Sequence, residues 1–264
     1  MPIPSDYVID RAIGHGASAT VFRAHRRDDP ALPVALKVLD DEHHHGVPLD
    51  RLQREFDTAH RLAHEHIISM YECGSDWLAM QLVDGGTVRR LPDTASALAA
   101  MTQIADALDY THRLGIVHCD VKPTNILAHQ DFCARGVVLV DFGVSHIVAH
   151  DVGHRAEHVE SSLPYTAPEL LRGYQPTAAT DLYALACTAI ELLIGTTPFV
   201  ASTATRLAQA QLYDPVPSFS RHIDALPRAF DSIMTKALAK DPDNRYPTCT
   251  EFITAVTHVL LDGR

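Results

Sequence analysis

The sequence predicts an α+β protein in two unequal parts, a small sheet-rich part followed by a larger, mainly helical one. Two observations carry this reading. Up to about residue 83 the apolar residues fall in short β-rich runs with one helical interruption. After Asp84-Gly85-Gly86 the 3.6-residue period dominates. The chain's 264 residues, 46% hydrophobic and 21% charged, suit a globular protein of one large domain or two modest ones.

Taken in order, residues 7–13 and 20–25 read as strands around a glycine turn, and 33–39 as a third, β-rich strand. Leu49, Leu52, Phe56, Ala59 and Leu62 recur at helical spacing, which predicts a helix over 49–63. Residues 67–73 and 77–83 read as two more strands about a Gly-Ser-Asp turn. Helices follow over 94–114, ended by Gly115, and over 180–195, 202–213, 226–239 and 248–261. The most apolar stretch, 182–200, is broken by Glu191 and by Gly195-Thr196-Thr197-Pro198, so it reads as a buried helix and not a membrane span.

Composition narrows function. The net charge is −11 with histidine neutral, and no basic stripe is present to track a phosphate backbone, so no nucleic-acid partner is expected. Five scattered cysteines without a Cys-x-x-Cys pair read as reduced thiols of a cytosolic compartment. The opening Met-Pro-Ile-Pro-Ser-Asp has neither the basic nor the apolar region of a signal peptide. Lysine is scarce: Lys37, Lys122, Lys236 and Lys240 are the only four.

Three segments carry chemistry. Gly14 and Gly16, between Ile13 and Val21, sit where backbone N–H groups can approach a polyphosphate closely. A strand and not a helix follows them, against a dinucleotide-binding βαβ unit. Val34-Ala35-Leu36-Lys37 then puts an ammonium on a strand, with Glu55 on the next helix as its natural partner. The third segment, His118-Cys119-Asp120-Val121-Lys122-Pro123-Thr124-Asn125, holds a carboxylate, an ammonium and a carboxamide within six residues. Sixteen residues after Asn125, the apolar run 137–140 ends in Asp141-Phe142-Gly143. A carboxylate there costs solvation unless it holds a cation or donors, and with Asn125 it offers oxygen ligands suited to Mg²⁺.

Together with Ala167-Pro168-Glu169, these segments resemble, in order and over residues 7–260, the signature set of protein kinases; Lys122 matches the serine/threonine-specific form, and Asp181-Leu182-Tyr183-Ala184-Leu185-Ala186 with Asp241-Pro242-Asp243-Asn244-Arg245-Tyr246 resembles bacterial eukaryotic-like serine/threonine kinases. The resemblance implies a two-lobed fold: an antiparallel sheet with one main helix (1–80), a hinge (81–86) and a helical lobe (87–264). It implies ATP as phosphoryl donor, Mg²⁺ (or Mn²⁺) as cofactor and a protein hydroxyl as acceptor. In that frame Lys37 binds the α- and β-phosphates and pairs with Glu55. Asp120 orients the acceptor hydroxyl and takes its proton, and Lys122 stabilises the moving phosphoryl group. Asn125 and Asp141 hold the metal. Adenine lies between Val21 and Ala35 on one side and Leu127 on the other, with Ile13 at its edge, Met80 behind it and backbone groups of Gln81 and Val83 bonded to it. Asp181 accepts N–H bonds from the catalytic loop, and Glu169 pairs with Arg245. Asp-Phe-Gly, Ala-Pro-Glu and Arg245 favour the protein-kinase branch over small-molecule kinases of the same fold.

The sequence departs from the pattern in places. Cys119 replaces the arginine that would pair with a phosphate on the activation loop, Ala19 replaces the third glycine, and Ser162 stands where threonine is expected. Cys119 and Ala19 keep a non-catalytic nucleotide-binding module as the alternative. Histidines 146, 150, 154 and 158 read as an exposed polar loop, and His43 as part of a solvated one. No metal beyond Mg²⁺ is expected, and no membrane contact by this segment. The resemblance, with the chain stopping at Asp262-Gly263-Arg264, leads to the expectation of a cytoplasmic domain of the kind that continues into a membrane anchor.

Overall fold

The computed structural model describes residues 4–16, 18–40, 43, 46–147, 162–221 and 226–262. Positions 150, 154, 155, 158 and 161 of the activation segment, His44, His45 and the last two residues lie outside them.

Strands β1 (Tyr7–His15), β2 (Ala19–Arg26), β3 (Pro33–Leu39), β4 (Met70–Cys73) and β5 (Trp77–Gln81) form one antiparallel sheet in the order β1-β2-β3-β5-β4. Side chains alternate between its faces, so β3 divides its residues in two. Val34, Leu36 and Val38 join Ala24, Ala79 and Tyr7 in a small apolar cluster on one face. Ala35, Lys37 and Leu39 take the other face, where Val21 lies opposite Lys37 and Met80 opposite Ala35. Helix α1 (Val47–Ala59) follows β3.

Helix α1 ends four residues short of the expected end. Arg61 and Leu62 bond back to Thr58 and Ala59, a tighter i→i+3 turn, yet Leu62 stays buried, so the apolar period outran the helix. The run 67–73 also splits. Ile68 N–H donates to Leu139 O at 3.0 Å and Leu139 N–H to His66 O at 2.9 Å, so the first half bridges to a strand of the second part and only Met70–Cys73 joins the sheet.

The second part contains α2 (Thr94–Arg113), capped by Asp93 on Ser96 N–H, then β6 (Ile116–Val117), β7 (Ile126–Ala128), α3 (Phe132–Arg135), β8 (Val137–Leu139) and β9 (His146–Ile147). Strands β6 and β9 pair, as do β7 and β8. Next come α4 (Pro168–Leu171), α5 (Ala178–Ile194), α6 (Ala204–Tyr213), α7 (Arg228–Ala237) and α8 (Cys249–Thr257). Helix α5 is buried over the whole of residues 180–190, so the broken apolar stretch of the sequence is the central helix of the core. Among the described residues no helix is long and apolar enough to cross a membrane.

Two expectations on histidines need correction. His146 is not on an exposed loop but is 9% exposed on β9, opposite Val117, because the strand pair turns it inward. His43 is half-buried, with Nδ1 shielded from solvent.

A bidentate ion pair ties α4 to the turn before α8. Arg245 Nη1 and Nη2 each lie 2.8 Å from a separate oxygen of Glu169, Thr180 Oγ1 adds a bond at 2.9 Å, and both charged side chains are almost fully buried. Removing one partner leaves an uncompensated buried charge. Arg245→Ala should therefore lower unfolding free energy by about 3–5 kcal/mol, read from urea denaturation midpoints.

Candidate active site

The catalytic-loop segment 118–125 is held from below by a single carboxylate. Asp181, at the start of α5, accepts the N–H groups of His118 and Cys119 at 2.8 Å each and His112 Nε2 at 2.8 Å, and it is fully buried. Cys119 adopts the left-handed backbone, with φ 67°, which aims two successive amides at one acceptor. The His118 ring has one consistent tautomer. Its Nδ1 accepts from Asp120 N–H at 3.2 Å, so Nε2 carries the proton and donates to Val140 O at 3.1 Å. The ring also meets Phe142 edge-on at 4.7 Å, joining this segment to residues 140–142.

Around Asp120 three residues converge. Ser162 Oγ donates to Oδ1 at 2.5 Å, and Lys122 Nζ lies 2.7 Å from both Oδ2 and Ser162 Oγ. Asn125 Nδ2 donates to Asp120 Oδ2 at 2.8 Å and to its carbonyl at 2.9 Å, which leaves the Asn125 amide oxygen for another partner.

Lys37 Nζ sits 2.6 Å from Glu55 Oε2 and 3.9 Å from Asp141 Oδ1. Burial works against the Lys37 ammonium, but Glu55 and Asp141 outweigh it and hold the amine above its ordinary range. Burial pushes the Asp141 carboxyl up, while Lys37 first, then Lys122 and the Gly143 N–H, pull harder and leave it below the ordinary range. Asp141 too is left-handed, at φ 69°. The side-chain oxygens of Asn125 and Asp141 are hard donors of the kind that hold a divalent metal.

The glycine loop lies two strands from Lys37: Gly14 is opposite Val21, and Val21 opposite Lys37. An added Cβ on Gly14 would come no closer than 3.9 Å to any atom, and on Gly16 no closer than 3.4 Å. Neither glycine is demanded by the packing of the chain itself. Gly85 differs, since a Cβ there would come within 2.6 Å of Ala128 O, and its N–H donates to that carbonyl at 2.9 Å, holding residues 85–86 against β7 beside Leu127. Gln81 N–H donates to Ser69 O at 2.9 Å. Val83 is 9% exposed, and among the described residues neither of its backbone polar groups has a hydrogen-bond partner. Ile13 is exposed at the end of β1, and Met80 packs against the main core.

Sequence reasoning missed His112, whose bond to Asp181 crosses 69 residues, and gave the His118 ring no task. The i,i+3 spacing of Asp109 and His112 hinted at one shared helix face. With Cys249 those two form a second cluster of ligand-type groups within 4.8 Å. Its atoms are already engaged: Asp109 accepts Cys249 and Thr250 N–H at the start of α8, and burial pushes the Cys249 thiol far up.

Residues 7–257 match the protein kinase domain family, and the chain belongs to it. It is 35% identical to the serine/threonine-protein kinase PknJ of Mycobacterium tuberculosis over 272 residues, 97% of this chain and 46% of that protein. To PknF of the same organism it is 35% identical over 281 residues, covering 96% of this chain and 56% of the relative; for PknD the figures are 34%, 96% and 40%. The chain thus spans about half the length of the curated relatives it matches. Protein kinases transfer a phosphoryl group from ATP with the help of a divalent metal.

The Lys37–Glu55 pair yields a pH test. In Lys37→Met the burial that pushes the Glu55 carboxyl up is no longer opposed by an ammonium. A carboxyl with a raised folded-state pKa holds more protons folded than unfolded, so stability falls as pH rises through that range. Relative to the parent, the variant should be less destabilised at pH 5 than at pH 8, measured as denaturation midpoints at both.

Proposed function

We propose that this domain is an active kinase that phosphorylates serine and threonine hydroxyls of proteins. One observation carries the reading: a carboxylate and an ammonium, Asp120 and Lys122, already hold a hydroxyl between them, that of Ser162. The names of the relatives, each a serine/threonine-protein kinase, support the acceptor class.

In this reading the acceptor oxygen attacks the γ-phosphorus, the bond to the β-phosphate bridging oxygen breaks, ADP leaves, and the hydroxyl proton passes to Asp120. Lys122 offsets the charge of the transferring group, and Lys37, steadied by Glu55, binds the α- and β-phosphates. Asn125 and Asp141 would hold Mg²⁺, or Mn²⁺, which neutralises phosphate charge when bound. The glycine loop leaves room for phosphates where side chains would stand. Adenine would pack on Ile13, Val21, Ala35 and Leu127 in front of Met80. It would bond the carbonyl of Gln81 and the backbone of Val83, across a hinge at 81–86 between lobes 1–80 and 87–264. We place the domain on the cytoplasmic side.

Activity should depend little on activation-segment phosphorylation. The thiol of Cys119 cannot make the charge-assisted bond to a phosphate, which contributes on the order of 1.5–3 kcal/mol. The hydroxyls on the described part of the segment are also committed. Ser145 is 1% exposed and donates to Phe142 O at 2.7 Å, and Thr166 donates to Ser162 O at 2.9 Å.

Radiolabelled ATP with Mg²⁺ and a generic protein substrate tests the reading. Asp120→Asn should lower turnover by about 10²–10⁴-fold with ATP binding nearly unchanged, whereas Asp141→Asn should weaken Mg²⁺–ATP binding and turnover together. Equal activity in the parent and both variants would overturn the assignment, and nucleotide binding without transfer would establish the non-catalytic alternative that Cys119 and Ala19 favour. In the same assay, phosphatase-treated and autophosphorylated protein should agree within about threefold, and a tenfold loss on dephosphorylation would show that another basic residue serves the phosphate.

A further inference from the structure

Asp109, His112 and Cys249 gather beneath the catalytic loop, and the mechanism above does not use them as a group. Asp109 and His112 stand one turn apart near the end of α2, Cys249 opens α8, and each offers a ligand-type atom within 4.8 Å of the others. Two buried carboxylates flank the imidazole, since Asp109 and Asp181 are 8% and 0% exposed. Among the described residues neither carboxylate meets a lysine or an arginine. His112 is the only side chain near them that can carry positive charge.

The imidazole leaves a gap in this arrangement. An ionised carboxylate only accepts, so His112 carries its proton on Nε2, 2.8 Å from Asp181 Oδ2. Its Nδ1 then presents a lone pair and has no hydrogen-bond partner among the described residues, although the side chain is only 10% exposed. That lone pair lies 3.9 Å from Asp109 Oδ1, a second acceptor. Two acceptors brought together out of water call for a cation between them. Cys249 adds a thiol that bonds to Asp109. Each Asp109 oxygen accepts one amide at 2.9 Å, from Cys249 or Thr250, and keeps a further lone pair. A partly open cavity of about 370 Å³, lined in part by His112, Gly115 and Val117, gives an ion a path to the ring.

We propose that Asp109, His112 and Cys249 hold a zinc ion through a carboxylate oxygen, Nδ1 and Sγ, with a water as the fourth ligand. Sulfur, imidazole nitrogen and carboxylate oxygen are the donors zinc takes, and three protein ligands with one water complete its tetrahedron. Zinc bonds of about 2.0 Å to nitrogen and oxygen require Nδ1 and Oδ1 to close by roughly half an ångström. The ion replaces the thiol proton, which leaves to solvent, and so lowers the buried negative charge. Asp181 already supplies the carboxylate that orients the other N–H of a metal-bound histidine. Zinc thereby ties α2 to α8 and, through His112, to the carboxylate that holds the amides of His118 and Cys119. The site is separate from Asn125 and Asp141 and stands independently of the kinase reading.

The test loads chelator-treated protein with Co²⁺, whose bond to a thiolate gives an ultraviolet charge-transfer band. Exposed histidines, or Asn125 with Asp141, cannot produce that band. The parent should show it at about one equivalent, and Zn²⁺ should displace the cobalt with a dissociation constant on the order of 1 μM or tighter. Zn²⁺ at about a hundredfold above that constant should raise the thermal midpoint by about 5 °C. Cys249→Ala, a small change at a buried position, should abolish the band although Cys73, Cys119, Cys133 and Cys187 remain. Asp109→Asn and His112→Gln should each weaken cobalt binding by about tenfold or more. Circular dichroism of the metal-free variants checks that they are folded. A parent without a thiolate band, or a band and midpoint shift that Cys249→Ala leaves intact, overturns the proposal and leaves a proton to bridge His112 and Asp109.

Discussion

The geometry of the site depends on one buried carboxylate. An ion as deeply buried as Asp181 loses its hydration, a penalty of several kcal/mol unless donors replace water. The amides of His118 and Cys119 and the imidazole of His112 supply them. Satisfying both amides at once requires the reversed backbone at Cys119, which costs a non-glycine residue roughly 1–2 kcal/mol. From that turn the positions of Asp120, Lys122 and Asn125 follow. Through the His118 ring and Val140 the same anchor reaches the residue before Asp141.

A second support comes from α1. This helix carries Glu55 to Lys37, and through Arg54 and Thr58 it also touches Ser145, four residues beyond Asp141. The ion pair between sheet and helix and the placement of the metal-type carboxylate are therefore mechanically joined. A shift of α1 would disturb both, since the buried Glu55 has no solvent to replace its ammonium partner.

The scarce lysines divide by task. Lys37 and Lys122 face the carboxylates of the site. Lys236 and Lys240 each stand 4.1 Å from an aromatic centroid, over Tyr246 and Phe199. Lys240 also donates to the carbonyls of Ala210 and Gln211, and burial draws its pKa down to about 8. The four lysines thus stand where carboxylates, carbonyls or π-faces can hold them, and Arg89 on Glu191 is a further cation so placed.

By itself the sequence determined the α+β class, the helical period of the second part and the residue types that gather at the site. These are local properties: alternation, 3.6-residue spacing, and motifs whose order along the chain survives folding. It also brought Lys37 and Glu55 forward as a pair, through their place in the ordered set of motifs and not through either residue alone. It misplaced the end of α1 and the strand at 67–69, since burial of Leu62, Ile67 and Ile68 is the same signal whether the neighbour is a helix turn, a sheet or a bridge to β8. Only the tertiary structure decided that His146 faces inward, that His112 reaches Asp181, and that Arg89 closes on Glu191 across 102 residues. Those contacts join residues whose separation along the chain carries no periodic signal: the β6–β9 pairing turns His146 inward, and α5 supplies the Asp181 and Glu191 that His112 and Arg89 reach.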